Sequence, residues 1–252
     1  MSAPVFIALP GAFDGVEAGA QWTLTGTEAR HACTVQRLRA GESIEIVDGH
    51  GARLIGAVRP GSHPGAVSVD VLELVIEPEP LPQLSLVQAL AKGGRDEMAI
   101  EAATELGVDA VRPWQAQRSV VQWRADKVAK GEQRWRAIVH AATKVARRAR
   151  LPTVGPLVSA DGLVPVVADA VAAGSQVFVL HEEATNPLAS AQLSSAHIML
   201  IVGPEGGISD AEVQDLMAAG AVPALLGPHV LRSSTAGPAA LAVLAHRTGR
   251  WG

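Results

Sequence analysis

Three prolines in seven residues, Glu77-Pro-Glu-Pro-Leu-Pro-Gln83, impose the first constraint on this chain of 252 residues. Proline fixes φ and has no N–H to donate, so the segment fits neither a helix interior nor a central strand. It reads as a linker, and the sequence has a different texture on each side of it. Before it, short apolar alternations at 5–9, 43–47, 54–58 and 67–74 are punctuated by Asp48-Gly49, Gly51 and Pro60-Gly61 turns, the pattern of a small β-rich module. One helix is expected there over 27–35, with Thr27 as its cap. After the linker, apolar strands alternate with Ala-rich amphipathic stretches: 84–89 then 96–106, 162–173 then 177–180, 198–202 then 210–219. That alternation predicts an α/β fold with a largely parallel sheet.

Hydrophobic residues make up 48% of the chain and charged residues 18%, enough apolar surface for a sizeable core and too much for a disordered chain. The single cysteine, Cys33, cannot close an intramolecular disulfide, and the eight histidines do not fall into zinc-site spacing, so no metal is expected. A reducing, cytoplasmic home fits this composition. Residues 1–12 include an apolar stretch without a basic leader, and the run at 198–202 is far below membrane-spanning length, so neither secretion nor membrane insertion is expected.

A net charge of −4 argues against a protein that coats nucleic acid through bulk positive charge. The distribution says more than the average. Between 112 and 150, eleven Lys and Arg stand against Asp126 and Glu132. Placing residues 134–150 on a helical step puts Arg136, His140, Lys144, Arg147 and Arg148 on one side and an apolar stripe from Trp135 to Ala149 on the other. Like charges at i,i+4 cost roughly a few tenths of a kcal/mol each, and no acidic residue interrupts this run. Two explanations stay open: an ordinary solvated face, or a contact with a polyanion.

Residues 198–212 run a buried strand into a tight turn and then a helix. Ser209 and Glu212 have the spacing of a capping box, which pins the Gly203–Gly207 turn at its helical end. Glycines there allow a ligand close to the backbone, and the run lacks both the Lys-Ser/Thr of a phosphate-binding P-loop and dinucleotide spacing. A second segment, Leu225-Leu-Gly-Pro-His-Val-Leu-Arg-Ser-Ser-Thr-Ala-Gly237, ends a short strand in a loop and opens an Ala-rich helix. Ser233, Ser234 and Thr235 can cap that helix or bond a ligand, and its first amides favour a carboxylate or phosphate.

Taken together, Gly203-Pro-Glu-Gly-Gly207, the Leu226-Gly227 to Leu231-Arg232 to Thr235-Ala236 loop, Ala103-Thr-Glu-Leu-Gly107, and Lys92 with Arg95 resemble the RsmE family, bacterial 16S ribosomal RNA uracil-N3 methyltransferases. The resemblance extends to Val35-Gln-Arg37, Arg39-Ala-Gly-Glu42 and Arg118-Ser-Val-Val121. It implies a PUA-like RNA-binding β-barrel over 1–76 and a SPOUT-type α/β methyltransferase domain over 84–252, with a C-terminal trefoil knot. S-adenosylmethionine would be held by Leu180, by Gly203, Pro204, Glu205, Gly206 and Gly207, and by Leu226, Gly227, Leu231, Ser234, Thr235 and Ala236. Arg232 would stabilise charge on the uracil carbonyls, while Glu205 fixes the turn. RNA would meet Arg37 and Arg39, Lys92 and Arg95, Arg118, and Arg147, Arg148 and Arg150. The resemblance also implies a homodimer acting on the small ribosomal subunit.

The sequence departs from the family pattern at Glu101-Ala102, at Lys144-Val145, and at Ser234, where relatives often carry a glutamate. Two rivals remain on sequence alone: a SPOUT-like enzyme with another target nucleotide, and a non-catalytic ribosome-assembly protein, to which a cofactor loop would be of no use.

Overall fold

The computed structural model describes residues 3–251. The chain divides into two compact units, one made of the residues up to Glu79 with Thr143–Leu151, the other of Pro80–Ala142 with the residues from Pro152 onward.

The first unit contains β1 (Val5–Ile7), β2 (Gln21–Thr25), α1 (Gly26–Arg30) continuing into a π-helical turn at His31–Val35, then β3 (Ser43–Val47), β4 (Ala52–Val58) and β5 (Ala66–Ile76). These strands form one sheet in the order β1-β3-β4-β5-β2, with β1 parallel to β3 and the other pairs antiparallel. Buried Val67, Val69 and Val71 alternate with more exposed neighbours on β5, as an antiparallel sheet with one wet face requires. Phe6 of β1 and Leu24 of β2 belong to the same core although their strands are the two edges, so the sheet curls around it. The helix expected over 27–35 is a short α-turn plus a π-turn; Thr25 stands at its start without a side-chain cap, and Thr27 lies inside.

The second unit runs β6 (Gln83–Ala89), α2 (Arg95–Glu105), β7 (Ala110–Gln115), α3 (Asp126–Val145), β8 (Thr153–Val154), β9 (Val158–Ser159), α4 (Ala160–Ala172), β10 (Gln176–Leu180), β11 (His197–Val202), α5 (Asp210–Ala218), β12 (Val222–Ala224) and α6 (Ser233–Arg247). Its seven strands are all parallel, in the order β12-β10-β11-β6-β7-β8 with β9 also on β7. β6 and β11 are buried almost throughout, because helices cover both faces: α4 and α5 on one, α2 and α6 on the other. β7 carries Pro113, a residue that opposes a central strand. It is accommodated because β8 pairs with Ala110–Val111 and β9 with Trp114–Gln115, leaving the Arg112-Pro113 step between them. No helix among the described residues is long and apolar enough to cross a membrane.

The helical step expected to continue to Arg150 stops at Val145. Arg147 takes a left-handed φ of 57°, and the amides of Arg147 and Arg148 close on the carbonyls of Lys144 and Thr143, the bonding of a Schellman turn. A side chain at such a φ costs roughly 1 kcal/mol or more, and the first unit supplies partners that offset it. Arg147 reaches Glu45 Oε1 at 2.5 Å, while its carbonyl accepts from Arg53, which also pairs with Glu45 and Glu77 at 2.7 Å each. Lys144 Nζ sits 2.7 Å from Glu28 Oε2 and 3.0 Å from His31 Nδ1. Arg136 finds Glu132 one turn before it at 3.2 Å, whereas the acids that meet Lys144 and Arg147 are distant in sequence.

Glu45 is shared by Arg53 and Arg147 in a mostly buried setting. Replacing it (Glu45→Ala) leaves Arg147 without its carboxylate and Arg53 with Glu77 alone, and is expected to lower stability by about 1–3 kcal/mol. Glu73→Ala on an exposed position of β5 is expected to stay within about 0.5 kcal/mol. Urea melts of the two variants check the contrast.

Candidate functional site

In an all-parallel sheet the carboxyl ends of the strands share one edge, and ligand sites of open α/β sheets collect there. At that edge of the second unit a cleft of about 580 Å³ opens, a volume suited to a small-molecule ligand. It is lined by Leu180 to Glu183 after β10, by Val202 to Ile208 after β11, and by residues 225–233 after β12 except Pro228, with Ala236 on α6 and Arg95, Arg118 and Asp210 at its margin.

The turn at 203–207 is fixed from three directions. Glu205 Oε1 accepts from the Lys92 amide at 2.9 Å and from Arg95 Nη1 at 3.0 Å. Arg118 Nη1 donates to the Gly206 carbonyl at 3.2 Å. Beyond the turn the capping box forms as the spacing predicts: Ser209 Oγ accepts from the Glu212 amide, and Glu212 Oε2 accepts from the Ser209 amide at 3.0 Å. Glu212 Oε1 additionally accepts from the Gln117 amide at 2.8 Å, so the loop after β7 is tied to the same helix start. Gly203 is a steric necessity, and Gly206 is tightly placed. A Cβ on Gly203 would lie 2.6 Å from Ile208 Cγ1, and one on Gly206 would lie 3.2 Å from Arg118 Cβ.

Partial burial of Glu205 opposes its charge, but the hydrogen bonds from its own backbone and the Lys92 amide, together with Arg95, outweigh it and hold the carboxyl below its ordinary pKa. Glu205 is therefore an ionised tether and a poor proton acceptor. His181 Nδ1 accepts from the Glu183 amide at 3.3 Å, which leaves the hydrogen of the neutral ring on Nε2. Among the described residues no three His, Cys, Asp or Glu side chains stand together as a metal site.

At the start of α6, Arg232 occupies the cap position with extended backbone and no side-chain cap bond. Thr235 Oγ1 donates to the Arg232 carbonyl, and Ser234 is buried; neither lines the cleft. Ser233 does line it, 6% exposed, its hydroxyl without a partner in the protein. The structure therefore gathers Leu180, Gly203, Pro204, Glu205, Gly206, Gly207, Leu226, Gly227, Leu231, Arg232 and Ala236 around one cavity and leaves Ser234 and Thr235 outside it. Sequence reasoning named Ser233 only as one of three hydroxyls able to cap the helix or bond a ligand, and passed over His181, Asp210, His229 and Val230 as lining residues. Only their positions just past strand ends could have signalled them.

The cations assigned to RNA fall into different settings. Arg95 and Arg118 reach the cleft margin, and Lys92 is exposed beside them. Arg37 and Arg39 are exposed on the first unit, Arg37 with a left-handed φ of 53°. Arg147 is paired with Glu45, and Arg150 donates to the carbonyls of Glu77 and Pro78.

Comparison with known proteins agrees with this geometry. Residues 77–245 match a family model described as an RNA methyltransferase domain, and residues 24–57 one described as an RNA methyltransferase PUA domain. A ribosomal RNA small subunit methyltransferase E from Mycobacterium bovis is 46% identical over 93% of this chain and 90% of its own length. The protein of that name from Bacillus subtilis is 29% identical over 92% and 93%. Among solved structures, a ribosomal RNA small subunit methyltransferase E from Neisseria gonorrhoeae bound to S-adenosyl methionine superposes with a TM-score of 0.84 at 26% identity, covering 98% of each chain. A putative methyltransferase from Legionella pneumophila in complex with the same cofactor gives the same TM-score, identity and coverage.

The Glu205 tether makes a pH-dependent difference. Because its folded pKa is lowered, the tether stabilises fully above the ordinary carboxylate range and is lost as pH falls through the folded value. Glu205→Gln is expected to be about 0.5–1 kcal/mol less stable at pH 7, with the two melting curves converging as pH falls from the ordinary carboxylate range through the lowered folded value. Thermal melts across that range check it.

Proposed function

The chain belongs to the ribosomal RNA small subunit methyltransferase E family, and from that membership and the cleft we propose that it methylates N3 of a uridine in 16S ribosomal RNA, with S-adenosylmethionine as methyl donor. The observation that carries this reading is the cleft itself, closed by a tethered glycine turn on one side and an uncapped helix start on the other.

The residues present fit the cofactor. Gly203 has no room for a side chain, the cleft has the volume of a small-molecule site, and Ser233 offers a buried hydroxyl without a protein partner. Leu180, the 203–207 turn, Leu226, Gly227, Leu231 and Ala236 would hold it, with Ser234 and Thr235 supporting the helix start behind. When bound, S-adenosylmethionine supplies an electrophilic methyl group on a sulfonium. The protein must orient uracil for in-line attack through N3, let the N3 proton leave, and stabilise the charge that builds on the carbonyl oxygens. Arg232 suits the last of these roles, since it lines the cleft and makes no ion pair among the described residues. Glu205 does not suit the role of proton acceptor, because its carboxylate is already committed.

RNA contacts are assigned to Arg37 and Arg39 in the PUA-like module and to Lys92, Arg95 and Arg118 beside the cleft, where phosphates would meet exposed cations. Arg147, Arg148 and Arg150 extend this set, the first and last also serving the structure of their own unit. The finer assignments follow the family likeness: a PUA-like barrel over 1–76, a SPOUT domain over 84–252 with a trefoil knot, a homodimer and a cytoplasmic location. Supporting the knot, Leu225 is laced to both Asn186 and Leu188 by backbone bonds of 2.8 Å, and Arg247 of α6 donates to the Leu188 carbonyl.

Two variants test the assignment of roles. Gly206→Val is expected to abolish S-adenosylmethionine binding in a calorimetric titration, because its methyls collide with Arg118. Arg232→Ala is expected to lower kcat on small ribosomal subunits by roughly 10²-fold or more, with mass spectrometry locating the methyl group on N3 of one uridine.

A further inference from the structure

Ser233 poses a question the cofactor reading alone does not answer. Its hydroxyl is buried and unpartnered, yet it faces the cleft. A buried polar group without a partner is destabilising, and of the unpartnered buried groups among the described residues Ser233 is the one that lines the cleft, where a ligand atom can complete it. Ser233 is also the first residue of α6, a helix of fifteen residues. The first amides of a helix have no intrahelical acceptor and carry the positive end of its dipole. No side chain caps α6, and the Thr235 hydroxyl is turned onto the Arg232 carbonyl. The neighbouring Arg232 adds a full positive charge along the same wall. The carboxylates of the cleft, Glu182, Glu183, Glu205 and Asp210, come from the segments after β10 and β11, so the α6 wall presents donors.

We propose that Ser233 Oγ and the first two amides of α6, those of Ser233 and Ser234, form a subsite for an anionic oxygen of the reacting partners, with Arg232 as its charged flank; the amides of Thr235 and Ala236 are already taken by the Arg232 carbonyl. Two oxygens have this chemistry: the carboxylate of the methyl donor's amino-acid tail, and the uracil carbonyl oxygen that becomes negative once N3 loses its proton. The subsite rests on the methyltransferase reading and refines it by assigning Ser233, in place of Ser234 or Thr235, as the hydroxyl that meets a ligand.

Wild type, Ser233→Ala and Ser233→Thr are compared in three measurements: calorimetry with S-adenosylhomocysteine, calorimetry with 5′-methylthioadenosine, which lacks the amino-acid tail, and single-turnover methylation of small ribosomal subunits. A donor-carboxylate site is expected to show about a 10- to 100-fold loss of S-adenosylhomocysteine affinity in Ser233→Ala with methylthioadenosine unaffected. A uracil-oxygen site is expected to leave both affinities unchanged and to slow the single-turnover rate by a similar factor. In either case Ser233→Thr restores most of the loss, and the melting temperature of the ligand-free Ser233→Ala protein does not fall, because no internal bond is removed. Equal loss with both nucleosides would place Ser233 on the adenosine moiety and overturn the proposal, as would no change in any of the three measurements, or a loss of stability alone. Failure of the wild type to bind S-adenosylhomocysteine at all would overturn the methyltransferase reading itself, and the subsite with it.

Discussion

The geometry of the cleft depends on the tethering of one short turn. Three of the five residues 203–207 are glycines, which would make a floppy connection if left to themselves, since glycine loses the most backbone entropy on ordering. They are ordered because Glu205 is gripped by the Lys92 amide and Arg95, the Gly206 carbonyl by Arg118, and the following helix by the Ser209–Glu212 box with its extra bond to Gln117. The loops after β6 and β7 thereby set the shape of the loop after β11. Parallel strands make this possible by delivering all of these loops to one edge.

The same tethers link two roles. Arg95 and Arg118 hold the 203–207 turn and, in the proposed function, would also offer positive charge to an approaching RNA phosphate. Elsewhere charge serves structure more plainly. Lys144, Arg147 and Arg150 look like a polyanion site in sequence, yet they meet Glu28, Glu45 and the carbonyls of Glu77 and Pro78 inside the first unit. Their long stems give up rotamer freedom to do so, and the ionic partners offset that loss.

What could be read from sequence was whatever local chemistry determines. The capping box needs only residues three apart, so Ser209 and Glu212 announced it; the alternation of apolar strands with Ala-rich amphipathic stretches announced a largely parallel sheet. Long-range pairing was not legible. Thr143–Leu151 joins the first unit through Gly51 to Ala149 and Leu151 to Gly49 backbone bonds, partners nearly a hundred residues away. The left-handed Arg147 that ends α3 is invisible to helical periodicity, because arginine carries no local preference for that φ. β7 was hidden by Pro113, whose place between β8 and β9 only topology reveals. At the α6 start, three adjacent hydroxyls looked equivalent; helix rotation alone decided that Ser233 faces the cleft while Thr235 folds back on the chain.

The central claim is that the turn after β11 and the segment leading into α6 grip one methyl donor between them. A crystal structure of the chain grown with S-adenosylhomocysteine tests it most directly. Density for the nucleoside and its amino-acid tail spanning Gly203–Gly207 and Leu226–Ala236 is the predicted result. Density seated elsewhere, or those two segments drawn apart with nothing between them, would contradict it.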